Sequence, residues 1–307
     1  MLKHRLLMSA LLIPATIGLF VWDHGLGEKA PILFVLIMIL SARATWELVT
    51  LARAAGLRPS LMLSLAGTWA MIILGWAPHV EQSWGNWYRD NAVGIGLLLF
   101  GAIAVWLTLN SVLRFPRCAA VVESQDVSMK PPVVHGREIA TLAFELFIVV
   151  YLGVFLAITT QLRWVWNDYF ALGALVVAAK TGDIGAYTFG RLIGGPKMTP
   201  KLSPGKTWAG GVGHLVTAAL CSIAWMSWLG PLINEHWTAR HVIFAGAFGI
   251  TVGFAGLIGD LAESLIKRDV GVKDAPALLP GFGGLLDLLD SLLLAGPVAY
   301  AMWGLCR

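Results

Sequence analysis

Apolar runs long enough to cross a bilayer recur nine times along this 307-residue chain, and that leaves few folds open. They lie around residues 5–22, 31–50, 61–77, 92–109, 140–160, 169–187, 211–230, 241–259 and 285–304. A helix needs about 20 residues to cross a hydrocarbon core of about 30 Å. Inside that core each backbone N–H and C=O must be satisfied within the protein, so only helices and closed barrels can span it. Barrel strands alternate apolar and polar residues, whereas these runs are unbroken. The expected fold is an all-α, polytopic transmembrane helix bundle of eight or nine spans.

Composition agrees: 57% of residues are hydrophobic and 13% charged, against about 25% charged in soluble domains. The start, "MLKHRLLMSALLIPATIGLFVW", has the Lys3/Arg5 and apolar run of a signal peptide but no A-x-A-like cleavage site. It is expected to stay as the first span. Cys118, Cys221 and Cys306 stand far apart and read as packing residues. With the N-terminus placed in the cytoplasm, sixteen of the 22 Lys and Arg fall on that side and five on the other. That bias orients the chain and puts the polar segments 188–210 and 260–284 on one cytoplasmic face. Residues 1–138 are expected to form N-terminal spans and a connector, and 139–307 a C-terminal membrane region carrying the chemistry.

The chemistry concentrates in "GDLAESLIKRDVGVKDAPALLPGFGGLLDLLDS", from Gly259. Asp260, Glu263, Ser264 and Lys267 share one helical face at i, i+3, i+4 and i+7, and Asp287, Asp290 and Ser291 repeat the start of that spacing. A third stripe, Asp183, Tyr187 and Arg191, runs through "KTGDIGAYTFGR". Solvated helix ends would explain one such carboxylate. Asp287 and Asp290, however, lead straight into "SLLLAGPVAYAMWGL", and a carboxylate in the bilayer costs about 3 kcal/mol unless paired, hydrated or metal-bound. Three stripes at one face point to a shared cation site. No His or Cys lies in them, so the oxygen ligands favour Mg²⁺ or Mn²⁺ over Zn²⁺.

Between them, "GGPKMTPKLSPGKTWAGG" offers Lys197, Lys201 and Lys206, the hydroxyls of Ser203 and Thr207, and glycines that let backbone N–H groups approach a phosphate. Its "GKT" is not a P-loop, since Pro200 stands where that motif needs its first Gly. An ordinary positive-inside loop has the same composition. The turn "KDAPALLPGFGGLLD" ends one helix before the next begins near Leu285, and can equally be a plain reversal.

Together these motifs resemble the phosphatidate cytidylyltransferase (CDP-diacylglycerol synthase) family. The resemblance rests on Ser264, Lys267, Arg268, Lys273, Asp274, then Pro280-Gly281-Phe282-Gly283-Gly284 and Asp287-Leu288-Leu289-Asp290, preceded by Asp260, "SPGKTWAG" and "DIGAYTFGR". It covers roughly residues 180–300. The chain departs where the family's His is Phe282, its Arg is Leu288, and Ala209 follows the Trp in place of Glu.

The resemblance implies transfer of a cytidylyl group from CTP to phosphatidate, giving CDP-diacylglycerol and pyrophosphate, at the cytoplasmic face of the inner membrane. Asp260 and Asp287, helped by Asp290, are its expected Mg²⁺ ligands, with room for a second cation such as K⁺. Asp260, Asp287, Asp290 and Lys267 are the expected catalytic group. Ser203, Lys206, Thr207, Arg268, Lys273, Asp183 and Ser264 are expected to hold substrate. A homodimer is among the open assemblies.

Other classes compete. A cation-coupled transporter would need the carboxylates but leaves the basic "SPGKTW" segment unexplained. The spaced aspartates of a CDP-alcohol phosphotransferase are four apart, whereas Asp287 and Asp290 are three apart. A nucleotidyltransferase with another lipid phosphate acceptor, or a non-catalytic relative, would accommodate Phe282 and Leu288.

Overall fold

The computed structural model describes residues 17–80, 85–123, 137–165, 169–233, 239–272 and 284–306. Among these, eight helices are long and apolar enough to cross a membrane, one for each expected run from 31–50 onward. The first expected run, 5–22, lies mostly outside the described residues; 17–25 are helical.

In chain order the helices are α1 (Pro31–Ala54), α2 (Leu61–Val80), α3 (Gly85–Glu123) and α4 (Arg137–Ile148). A π-helical turn, Val149–Val154, joins α4 to α5 (Phe155–Thr160). Then come α6 (Leu162–Val165), α7 (Phe170–Leu192), strands β1 (Lys197–Thr199) and β2 (Ser203–Thr207), α8 (Trp208–Ile233), α9 (Ala239–Asp269) and α10 (Leu286–Cys306).

Two elements differ from the sequence reading. The helix ending the 92–109 run continues to Glu123, into the stretch expected as a connector. The basic Gly-rich segment is an antiparallel hairpin rather than a loop, with Lys197 opposite Thr207 and Thr199 opposite Ser203. Gly194 and Gly195 enter it with φ of 67° and 94°, a region L-residues rarely adopt. The helix read from the spacing of Asp260, Glu263, Ser264 and Lys267 is present, because α9 runs ten residues past the apolar run that ends near residue 259. Its 31 residues rise about 46 Å, more than the hydrocarbon core, and its charged C-terminal turns are the end able to stand clear of lipid. A Schellman closure stops it, with Val272 N–H donating to the Lys267 carbonyl at 3.0 Å and Gly271 at φ 76°.

The chain forms two compact units. One comprises Met38–Val154, with a core of Met71, Ile103, Leu107 and Val149. There the buried Glu145 accepts the Ser60 N–H at 2.7 Å, just before α2 begins. The other comprises Met1–Ile37 and Phe155–Arg307. Within it the Tyr169 hydroxyl donates to the buried Asp23 carboxylate, whose other oxygen accepts Ile32 N–H at 2.6 Å. Burial first, and then the Asp23 partner, push the Tyr169 phenol pKa upward, so it remains a donor. Asp183, Lys206, Asp260, Glu263, Lys267, Asp287 and Asp290 all belong to this second unit.

Candidate active site

Glycine brings the site helices close. A Cβ at Gly185 on α7 would strike Thr217 and the Gly213 carbonyl on α8, and one at Gly213 would strike the Phe189 ring. On α9, Gly249 abuts the Ala218 backbone of α8, and Gly259 abuts the Asp290 carbonyl of α10. Without an apolar solvent difference to drive them together, membrane helices rely on such close backbone approach. The four helices thereby carry their polar residues to one place.

Three carboxylates form the centre: Asp260, Glu263 and Asp290 each bring an oxygen within 4.8 Å of the others. Glu263 and Asp290 are buried, at 2% and 7% exposure. Around them stand lysines from three elements. Lys206 Nζ, from the hairpin, lies 2.7 Å from Asp260 Oδ2. Lys267 Nζ bridges Glu263 Oε1 at 2.9 Å and Asp287 Oδ1 at 2.6 Å. Lys180 Nζ, from α7, donates to Ser291 Oγ at 2.9 Å and lies 3.6 Å from Asp183 Oδ2. Asp290 Oδ1 in turn accepts the Ser291 N–H.

The start of α10 explains why Asp287 faces Lys267. Its Oδ2 accepts the Gly284 N–H at 2.9 Å, the backward half of a capping box, and its charge complements the helix N-terminus. One turn on, Asp290 points the same way.

Most of the expected residues converge, though in different roles. Of the trio Asp260, Asp287 and Asp290, the tight group contains the first and last, with Glu263 in place of Asp287. Asp183 lies within electrostatic reach of both Asp260 and Asp290. Its stripe partners do not join it: Arg191 Nη1 donates to the exposed Tyr187 hydroxyl at 3.0 Å, at the surface. Thr207 is 5% exposed and accepts the Gly210 N–H at 3.1 Å, so it caps α8. Ser203 sits half-buried on β2, and Ser264 half-buried on α9. Arg268 Nε donates to the Leu202 carbonyl at 3.4 Å, tying the hairpin to the end of α9. Lys273 and Phe282 lie outside the described residues.

Lys180 and His214 were not among the expected residues. Lys180 could have been found as the one lysine inside an apolar run. His214 is 1% exposed on α8, its Nδ1 3.7 Å from Asp183 Oδ1 and its ring against Gly182. The absence of His from the carboxylate stripes therefore does not carry over to the folded site. Nothing in the spacing of one helix reports a residue on its neighbour.

Among known proteins, the sequence pattern of the cytidylyltransferase family matches residues 3–306. The phosphatidate cytidylyltransferase of Haemophilus influenzae is 30% identical over 302 residues, covering 97% of this chain and 96% of that protein. The uncharacterized protein YnbB of Escherichia coli is 40% identical over 126 residues, 41% of this chain and 40% of its own length. The phosphatidate cytidylyltransferase of Brucella suis is 42% identical over 123 residues, 38% of this chain and 41% of that protein.

Proposed function

The chain belongs to the cytidylyltransferase family, and on that premise we propose that it transfers the cytidylyl group of CTP to phosphatidate. It is a membrane-embedded nucleotidyltransferase. In the reaction a phosphate oxygen of phosphatidate attacks the α-phosphorus of CTP, and the bond to the β-phosphate oxygen breaks. CDP-diacylglycerol forms and pyrophosphate leaves.

The observation that carries this reading is the set of three carboxylates, two of them buried, ringed by lysines from the hairpin, α9 and α7. A phosphate monoester is largely ionised at pH 7, its second pKa being about 6, so no protein base is needed to make the nucleophile. What the protein must supply is position and opposite charge. Lys206, Lys267 and Arg268 neutralise phosphate oxygens at the mouth of the site. The hairpin, held to α9 through Arg268, fixes Lys206 over Asp260.

The donor set fits magnesium: three carboxylates, two of them buried, with oxygens within 4.8 Å and no sulfur or imidazole in the group. Asp260, Glu263 and Asp290 would hold it, and Asp287 would keep Lys267 in register. When bound, the ion would draw negative charge from the phosphate oxygens of CTP. The positive-inside bias supports a site facing the cytoplasm in a bacterial inner membrane; a thiol placed at Lys201 would then be labelled only from that side.

Pyrophosphate release from CTP by the purified protein in mixed phosphatidate–detergent micelles tests the reading. Release should require both phosphatidate and Mg²⁺, and K⁺ alone should not replace Mg²⁺. Well-folded protein that releases none, with phosphatidate or with other lipid phosphates, would overturn it.

A further inference from the structure

Lys180 is the eleventh of the 23 residues of α7, about 15 Å along a membrane-spanning helix. A lysine there costs about 3 kcal/mol if it is left to the lipid, and the hairpin and α9 already bring cations to the site. Its surroundings show what holds it. The ammonium donates to Ser291 Oγ at 2.9 Å, Ser291 N–H donates to Asp290, and Asp183 Oδ2 is 3.6 Å away. Its charge acts on Asp290 as well as on Asp183. Lys206 attends Asp260 and Lys267 attends Glu263 and Asp287, while His214 faces the far side of Asp183. Among the described residues, Lys180 is thus the lysine on the Asp183/Asp290 side of the carboxylate group.

We propose that Lys180 is an internal counter-ion of the cation site: a fixed positive charge that sets how tightly the carboxylates hold a divalent ion while positioning Asp290 through Ser291. Asp260, Glu263 and Asp290, with Asp183 beside them, would bind a divalent ion more tightly without it and release it reluctantly. With the ammonium in place, one charge is offset permanently and the ion stays exchangeable. The proposal rests on the cation site inferred above and adds a residue to it.

Mn²⁺ alone, without nucleotide, is the probe, and binding to the full-length detergent-solubilised protein is followed by the loss of the free-ion paramagnetic signal. Lys180→Met and Lys180→Gln should both bind Mn²⁺ more tightly than the parent protein, by about tenfold for removal of one nearby unit charge. Lys180→Arg should bind like the parent. The Gln variant keeps an amide donor for Ser291, so a fold lost in the Met variant does not end the test. A residue that merely propped the helices apart would loosen the site when removed, so tighter binding separates the two roles. Neutral variants that bind Mn²⁺ equally or more weakly overturn the counter-ion. A parent protein that binds no Mn²⁺ overturns the cation site itself, and the counter-ion with it.

Discussion

Lys206 Nζ lies 2.7 Å from Asp260 Oδ2, so the hairpin and α9 meet through a half-buried ion pair. The carboxylate steers the ammonium toward the place where phosphate charge would accumulate. Lys206→Met should lower the rate of pyrophosphate release about 100-fold or more, the loss typical of removing one preorganised charge donor. Lys206→Arg should retain part of the rate. A Met variant within threefold of the parent would show that the hairpin lysine serves orientation in the membrane and not the reaction.

Glu263 and Asp287 both touch Lys267, yet only Glu263 joins Asp260 and Asp290. Glu263→Gln should raise the Mg²⁺ concentration giving half-maximal rate by about tenfold, as expected for losing one carboxylate from a small oxygen site. Asp287→Asn should lower the maximal rate while moving that concentration less. Magnesium titrations of the two variants side by side decide it. The reverse ordering would put Asp287 in the metal shell, as the sequence suggested.

With Lys267 removed, the buried Glu263 and the partly buried Asp287 are left without their shared cation. Breaking such a buried network by taking one partner costs about 3–5 kcal/mol. Lys267→Met should therefore unfold earlier in detergent, and adding Glu263→Gln should recover part of the loss. The two effects sit in one network and should be non-additive. Independent, additive losses would mean that the bridge is not formed in solution.

Gly259 and Gly256 lie one turn apart on α9 and face α10 differently. A Cβ at Gly259 would run into the Asp290 carbonyl, with the Ser291 Cα only 3.3 Å away, whereas at Gly256 the nearest atoms are 3.6 Å off, an ordinary contact. Gly259→Ala should cost about 1–3 kcal/mol of overpacking and displace Asp290. Gly256→Ala should be close to neutral. Thermal unfolding and activity measured together on both variants provide the check, and equal tolerance would contradict the close crossing.

The spans were legible because lipid imposes one simple requirement, a long apolar run, and each described run became a helix. The hairpin was not: "SPGKT" lacks the alternation that marks a strand, and its pairing depends on Gly194 and Gly195 turning the chain. The carboxylates were legible through their helical spacing. Which of them meet was not, because one-helix periodicity places Asp260 and Glu263 on a common face without saying whether Asp287 or Asp290 lies opposite. That choice is made where Gly259 touches α10. Lys180 and His214 enter from α7 and α8, and only the crossing of those helices brings them to the carboxylates.

The glycine contacts have a bearing on how this gene could be allowed to vary. Gly185, Gly213, Gly249 and Gly259 each leave no room for one more carbon atom, so random substitution there should be rejected as firmly as at Asp260 or Lys206, without any role in chemistry. A saturation survey scored by survival alone would therefore mark the walls and the reacting groups with the same intensity. Telling them apart would need a second score, such as the amount of folded protein in the membrane, which should collapse for the glycines and hold for Asp260 and Lys206.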